Sequence, residues 1–230
     1  RDLRGDVKSH RTMMINISRF IAVQEAITSQ VDELVRTMLR EIRNYYRAGE
    51  QAMEYDTFRL LRKTWDKYYA PMETIDFEWS DIQEALHAAV ASVEVRTING
   101  GNASKYLNYD EYDNGLRLIA VGGLSLSRGL TLEGLCISYF YRNSQMYDTL
   151  MQMGRWFGYR RHYEDLCQIW MPATSMSWYA YITEATNELL SEVNRMKLLN
   201  MTPKDFGLCV RSDQAALMVT ARNKMRSAQD

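Results

Sequence analysis

Cysteine is scarce in this sequence. The 230 residues hold three, Cys136, Cys167 and Cys209, widely spaced and with no CxxC pair among them. The histidines, His10, His87 and His162, are equally scattered. That spacing argues against a structural zinc site, which needs clustered Cys and His ligands. Cys136 and Cys167 sit inside apolar, strand-like runs and read as buried, reduced thiols, which suits the cytoplasm. No apolar run approaches the roughly 20 residues of a membrane span, and no secretory signal is present. Neither sign of charge is in excess: 28 Lys and Arg stand against 29 Asp and Glu, a formal net charge of −1. A dedicated sequence-specific nucleic-acid binder is usually more basic, whereas a domain with few, local phosphate contacts needs no such excess. No GxxxxGK[ST] phosphate loop occurs, and no acidic Walker B partner is identifiable. Internal repeats and low-complexity segments are absent as well.

What is present is an ordinary globular composition, 46% hydrophobic and 25% charged. A chain of this length can bury a sizeable core in one large domain. It begins at Arg1 rather than Met and is read as part of a longer protein.

The most informative stretch spans residues 116–160. Leu116 to Val121 is an apolar run bounded by Gly122-Gly123 and fits a buried strand. A turn-rich segment follows, then Leu135 to Tyr141, rich in β-branched and aromatic residues, as a second strand. Tyr147, Leu150, Met151 and Gly154 then recur at helical spacing and deliver Arg155 and Arg160. Gly122 and Gly123 allow the backbone to approach another molecule closely. Arg128, Arg155 and Arg160 flank that approach with planar, permanently charged forks suited to phosphate oxygens. Taken singly, each is ordinary turn or surface chemistry. Together they place arginines after consecutive buried strands, where ligands sit on open α/β sheets.

The rest of the chain supplies the scaffold. Residues 1–11 are polar and read as an irregular lead-in. Met13 to Ile17 reads as a strand, Ser18-Arg19 as its turn, and Phe20 to Tyr46 as a long helix with Ile21, Ile27, Leu34 and Ile42 on its apolar face. Gln51 to Tyr69 is a second helical stretch, with Phe58, Leu61 and Trp65 at core spacing. Ser80 with Gln83 reads as a capping box for a helix over residues 81–93. Val93 to Ile98 alternates as a strand and ends in the turn Asn99-Gly100. Asp110, Glu111 and Asp113 could attract a divalent metal but read better as a solvated loop. Asp165 to Met171 is a last strand, closed by Pro172. Ser175 or Ser177 caps a helix to about Leu199.

At this point a resemblance is specific enough to name. SRGLTLEGL resembles motif V of superfamily-two helicases, and QMGRWFGYR resembles motif VI, the arginine-finger helix. The form GGLSLSRGLTLEGL followed by YDTLMQMGRWFGYR is similar to the Z-one domain family. That family is labelled an endonuclease and found with helicase-type ATPases in prokaryotic restriction-like gene clusters. The resemblance covers the sheet-forming parts and is strongest over residues 116–171.

Several expectations follow from it. The fold class is α/β, a RecA-like (P-loop NTPase-type) parallel sheet flanked by helices. Residues 1–230 form a single second lobe, with a helical insertion at about 40–90 and a C-terminal helical extension at about 174–230. Arg128 and Gly129 match the motif V pair, and Thr131 stands where many relatives place an aspartate that meets the nucleotide sugar. Gln152 and Arg155 match motif VI, with Arg160 or Arg161 as the second arginine. Ser18, Arg19, Asn99, Gly100, Gly122 and Gly123 are the candidate nucleic-acid contacts.

The resemblance further implies ATP with magnesium in the full-length protein, held mainly by a first lobe. It implies DNA, that N-terminal ATPase lobe, and an Hsp90-type or MutL-like ATPase, methylase or nuclease as partners, with no membrane. Two alternatives stand beside this, a metal-dependent DNA endonuclease domain and a non-catalytic interaction module with the lobe fold. The residues show no convincing nuclease arrangement.

Overall fold

A computed structural model describes residues 1–99, 107–123, 126, 130–141, 150–151 and 162–202. Arg128, Gly129, Gln152, Arg155, Arg160 and Gly100 lie outside the described residues. The chain divides into two units, one made of Arg1–Tyr141 and Trp156–Trp170, the other of Arg142–Arg155 and Met171–Asp230.

The first unit is built on a five-stranded sheet. Its strands are β1 (Arg11–Asn16), β2 (Val93–Ile98), β3 (Arg117–Gly122), β4 (Leu135–Phe140) and β5 (Gln168–Trp170). They lie in the order β2-β3-β1-β4-β5, and every pairing is parallel. Helices α1 (Ile21–Tyr45), α2 (Asp56–Tyr68) and α3 (Trp79–Val90) all fall between β1 and β2. A parallel connection has to cross the sheet, and helices are the usual way to do so. The expected α/β class is therefore observed: a parallel sheet flanked by helices, consistent with a RecA-like fold.

The sheet's core comes from the strands' own alternation. On β1, Thr12, Met14, Ile15 and Asn16 are buried; on β3, Leu118, Ala120, Val121 and Gly122 are. β1 is central and pairs on both sides, and its burial pattern is the near-continuous one of a parallel strand covered on both faces. α1 packs over β2 and β3. Ile27, Val31 and Val35 are half-buried along it, whereas Ile21 and Leu34, expected on its apolar face, are exposed.

A second core lies away from the sheet. Ile42, Ala52, Phe58, Trp65 and Trp79 are buried together, with Tyr45, Tyr46, Leu61, Phe77 and Leu86 packed around them. Burying each large side chain is worth about 1.5–3 kcal/mol. Here the expected Ser80–Gln83 capping box gives way to another pair. The Asp81 carboxylate accepts the Glu78 backbone N–H at 2.8 Å, and the helix begins at Trp79. Gln83 is buried instead. Its side-chain carbonyl accepts the Trp79 indole N–H at 2.9 Å, and its amide donates to the Gly49 carbonyl at 3.0 Å. A polar residue that the cap does not use thus satisfies the donor of a buried Trp.

The lead-in is more ordered than its polarity suggests. Asp2–Arg4 is a 3-10 turn, and the Arg1 side chain is only 7% exposed. Arg1 Nε donates to Asp6 at 2.7 Å, Arg11 pairs with Asp2, and Arg4 grips both oxygens of Asp165 at 2.6 and 2.9 Å. Opposite charges converge at the strand-entry edge, and burying them requires that they be paired. The same contacts shorten the last strand. Glu164–Leu166 forms a 3-10 turn held by Arg4 and Thr74, so β5 starts at Gln168 rather than at Asp165.

In the second unit, α4 (Ala173–Leu198) starts directly after Pro172, with Ser175 N–H donating to the Pro172 carbonyl at 2.9 Å. Neither Ser175 nor Ser177 caps it. Ser175 is fully buried, and Ser177 donates to the Thr174 carbonyl. The Tyr179 hydroxyl donates to the Leu150 carbonyl at 2.9 Å, and burial pushes that phenol up to about 12.

The Asp165 tie gives a pH-dependent prediction. The Arg4 guanidinium first, and the Thr74 hydroxyl next, outweigh partial burial and hold the Asp165 carboxyl well below the ordinary carboxylate range. Its contribution is therefore full above about pH 4, the unfolded value, and is lost as pH falls through the folded one. Urea unfolding of Asp165→Asn at neutral pH should show a loss of about 1.5–3 kcal/mol. The gap to the wild type should shrink below about pH 4; an unchanged gap would show that Asp165 does not carry the effect.

Candidate functional site at the carboxyl edge of the sheet

Because every strand runs the same way, every strand ends on the same edge. Asn16 is level with Gly122 on one side and Phe140 on the other, and Ile98 is also level with Gly122. The segments leaving that edge are Ile17-Ser18-Arg19, Asn99, Gly123 and Tyr141. β1 leads toward β2 and β4 leads the opposite way toward β5. Adjacent strands whose connections diverge leave a crevice at their carboxyl ends, the usual ligand position of an open α/β sheet.

The glycines there are needed for contact rather than for unusual torsion angles. A Cβ on Gly122 would lie 2.4 Å from the Ile98 carbonyl oxygen, and one on Gly123 2.3 Å from that of Ser18. No side chain fits in either place. The β1 loop therefore lies directly on the end of β3, and Ile17 N–H donates to the Gly122 carbonyl at 3.3 Å.

One residue that sequence reasoning missed holds this arrangement. Gln24 is 3% exposed, and its side-chain amide donates to the Ser18 carbonyl at 2.9 Å. Its Oε1 is buried and has no partner among the described residues. The available signal was a glutamine in the first turn and a half of α1, on the side where the helix meets the sheet. Ser18 Oγ accepts the Phe20 N–H at 3.1 Å, and Thr28 and Thr97 share a hydrogen bond of 2.6 Å between α1 and β2.

No side chain caps the first turn of α1. Its first-turn N–H groups sit just beyond Ser18 and Arg19, and such groups at a helix start attract anions. Arg19 is exposed and lies 4.8 Å from the Phe20 ring centroid. Phe20, Ile21 and Val23 are exposed beside it at 58%, 52% and 44%.

Gly123 thus lies against Ser18 and Gly122 against Ile98, and Arg19 and Asn99 belong to the same edge. Thr131 is not in that cluster. It is exposed, two residues before Glu133, whose carbonyl accepts the Thr12 hydroxyl near the entry end of β1. Asp110 and Asp113 are exposed, and Glu111 accepts a hydrogen bond from Asn108 at 2.7 Å. Among the described residues no three His, Cys, Asp or Glu side chains are grouped to hold a metal, and no helix is long and apolar enough to cross a membrane. A groove of about 980 Å³ runs elsewhere, between α1 and α3, lined by Arg36, Arg40, Arg43 and His87.

Gly123→Ala should push the β1 loop off β3, because the neighbour it meets is backbone. The expected cost is about 1–3 kcal/mol in unfolding experiments. Hydrogen exchange should quicken at Ile17 and in the first turn of α1, and unchanged protection there would sink this account.

A family model described as the Z1 domain matches residues 1–217. Among curated proteins and solved structures, none matches the chain.

Proposed function

The chain belongs to the Z1 domain family, and on that premise we propose that it is the second lobe of a superfamily-two helicase-like, nucleic-acid-dependent ATPase of a prokaryotic restriction or defence system. The observation that carries the reading is the close packing of Gly123 against Ser18 and of Gly122 against Ile98 at the carboxyl edge, beside a helix start whose N-cap residue Phe20 makes no side-chain cap. Backbone N–H groups, an exposed arginine and close-packed glycines form a surface suited to a phosphate backbone. Arg19 and Asn99 extend it.

Of the residues that the resemblance assigns to ATP with magnesium, only Thr131 is among the described residues. The sequence has no phosphate loop, and no grouping of metal-ligating side chains occurs among the described residues. In this proposal the nucleotide and its magnesium belong to an N-terminal ATPase lobe of the same protein. When bound, they supply the phosphoanhydride and the charge that must be neutralised. The contribution of this chain is arginine charge, from Arg155 with Arg160, and from Arg128 beside Gly129. Gln152 would contact the nucleotide from this side. A positioned guanidinium acts because charge develops on the transferring phosphoryl group, with rate effects of roughly 10³–10⁵ where such fingers operate. DNA, and an Hsp90-type or MutL-like ATPase, methylase or nuclease, complete the proposed assembly in the cytoplasm.

The test uses the full-length protein. Arg155→Ala should leave nucleotide binding nearly intact and lower DNA-stimulated turnover by roughly 10³-fold or more. Turnover that survives while the melting temperature drops would make Arg155 a structural residue and remove the finger from the proposal.

A further inference from the structure

The second half of α1 carries a row of like charge. Arg36, Arg40 and Arg43 follow one another at steps of four and three residues, and Arg47 comes a further step of four on, just past the helix end. That spacing puts them on one face, and all of them are exposed. Arg36 pairs with Asp32 one turn back at 2.8 Å. Arg40 donates to the Thr37 hydroxyl at 3.3 Å, and Arg47 lies 5.1 Å from the Tyr46 ring centroid. Among the described residues no carboxylate pairs with Arg40, Arg43 or Arg47. The carboxylate next to Arg40 in sequence, Glu41, is engaged elsewhere and accepts the Thr57 N–H at 3.3 Å.

Like charges three and four residues apart weaken a helix. The negative end of the helix dipole offsets this within the last turn, which holds Arg43 but not Arg36 or Arg40. The stability of α1 therefore does not account for the row. The same arginines border the groove of about 980 Å³ between α1 and α3. Beside them the lining is apolar: Leu39 and Val90 are half-buried, and Ala91 is exposed at the end of α3. At the Arg36 end of the groove the charge reverses, with Asp32 and Glu33.

We propose that this groove is a docking site for a helix of a partner protein. That helix carries carboxylates at the same four-and-three spacing beside an apolar seam, and a basic residue where it meets Glu33. Carboxylates so spaced face the arginine row turn for turn, and the seam covers Leu39 and Val90, as an amphipathic helix does in a groove. The charges select the partner and its register, and burial of the seam adds affinity. A phosphate backbone fits less well. It is negative along its whole length, so it would meet Asp32 and Glu33, and it has no apolar face for Leu39 and Val90. The row begins roughly 20 Å along the helix axis from the start of α1, on the side away from the carboxyl edge. None of its residues belongs to the site at that edge, so this proposal goes beyond the helicase-like reading and its failure would leave that reading intact.

The experiment titrates the 230-residue protein into a fluorescein-labelled synthetic peptide of about 16 residues and reads the anisotropy. The peptide is built on Ala and Leu, with Glu at four-and-three spacing on one face and a terminal Lys; a control peptide has each Glu replaced by Gln. The Glu peptide should bind saturably, and the Gln peptide about tenfold more weakly or worse. Arg40→Ala and Arg43→Ala should each weaken binding about threefold to tenfold. Arg40→Glu with Arg43→Glu should lose the Glu peptide and gain a third peptide in which Lys replaces each Glu, an exchange that only direct contact produces. Circular dichroism and the melting temperature check the fold of that double variant. Should it not fold, Ala91→Glu on the α3 wall should give the same loss from the other side of the groove. No binding of the Glu peptide, equal binding of the Gln peptide, or failure of the charge exchange in a folded variant would overturn the proposal. So would displacement of the peptide by duplex DNA whose own affinity falls with the same arginine substitutions, which would make the groove a nucleic-acid surface.

Discussion

A parallel sheet with its first strand in the middle imposes most of what this protein is. β1 takes hydrogen bonds from β3 on one side and β4 on the other, so it is buried on both faces and at both edges. Parallel pairing then requires every connection to cross from one end of the sheet to the other. All strand starts gather at one edge and all strand ends at the opposite edge. The two chemistries in the molecule follow this division. Ion pairs and thiols collect at the entry edge, while glycines, backbone donors and an exposed arginine collect at the exit.

The entry edge shows how such a sheet is closed with charge. Arg1, Asp2, Asp6, Arg11, Arg4 and Asp165 are drawn from the first turn and from the segment before β5. The pairs matter because charges partly withdrawn from water are destabilising unless partnered. Their arrangement also positions Arg1 over Tyr163 and against Cys136.

Much of the fold was legible because it rests on short-range pattern. The alternation Val93 to Ile98 gave β2 its observed limits, and the Gly122-Gly123 pair marked the end of β3. Phe58 and Trp65 are buried as their spacing implied. Long-range polar contacts were not legible. Nothing in its neighbours shows that Gln83 serves a tryptophan indole, or that Gln24 holds the Ser18 carbonyl. Ile21 and Leu34 have the period of a buried face yet are exposed. At the site, Ser18, Gly122 and Gly123 could be named from sequence because strand ends in an open sheet share one edge. The contact of Ser18 with Gly123 depends on a register between segments about a hundred residues apart, which periodicity does not encode.

That same register has a consequence for how the protein is made. β1 is complete by residue 16, but its partners begin only at residues 117 and 135. At synthesis rates of roughly 5–20 residues per second, the central strand leaves the ribosome about 5–20 seconds before a neighbour exists to pair with it. During that interval Met14 and Ile15, the centre of the finished core, belong to an unpaired apolar strand. The first-made element of the sheet is therefore among the last to be satisfied, and the nascent chain is most open to chaperones and to misassociation at the strand that later lies deepest.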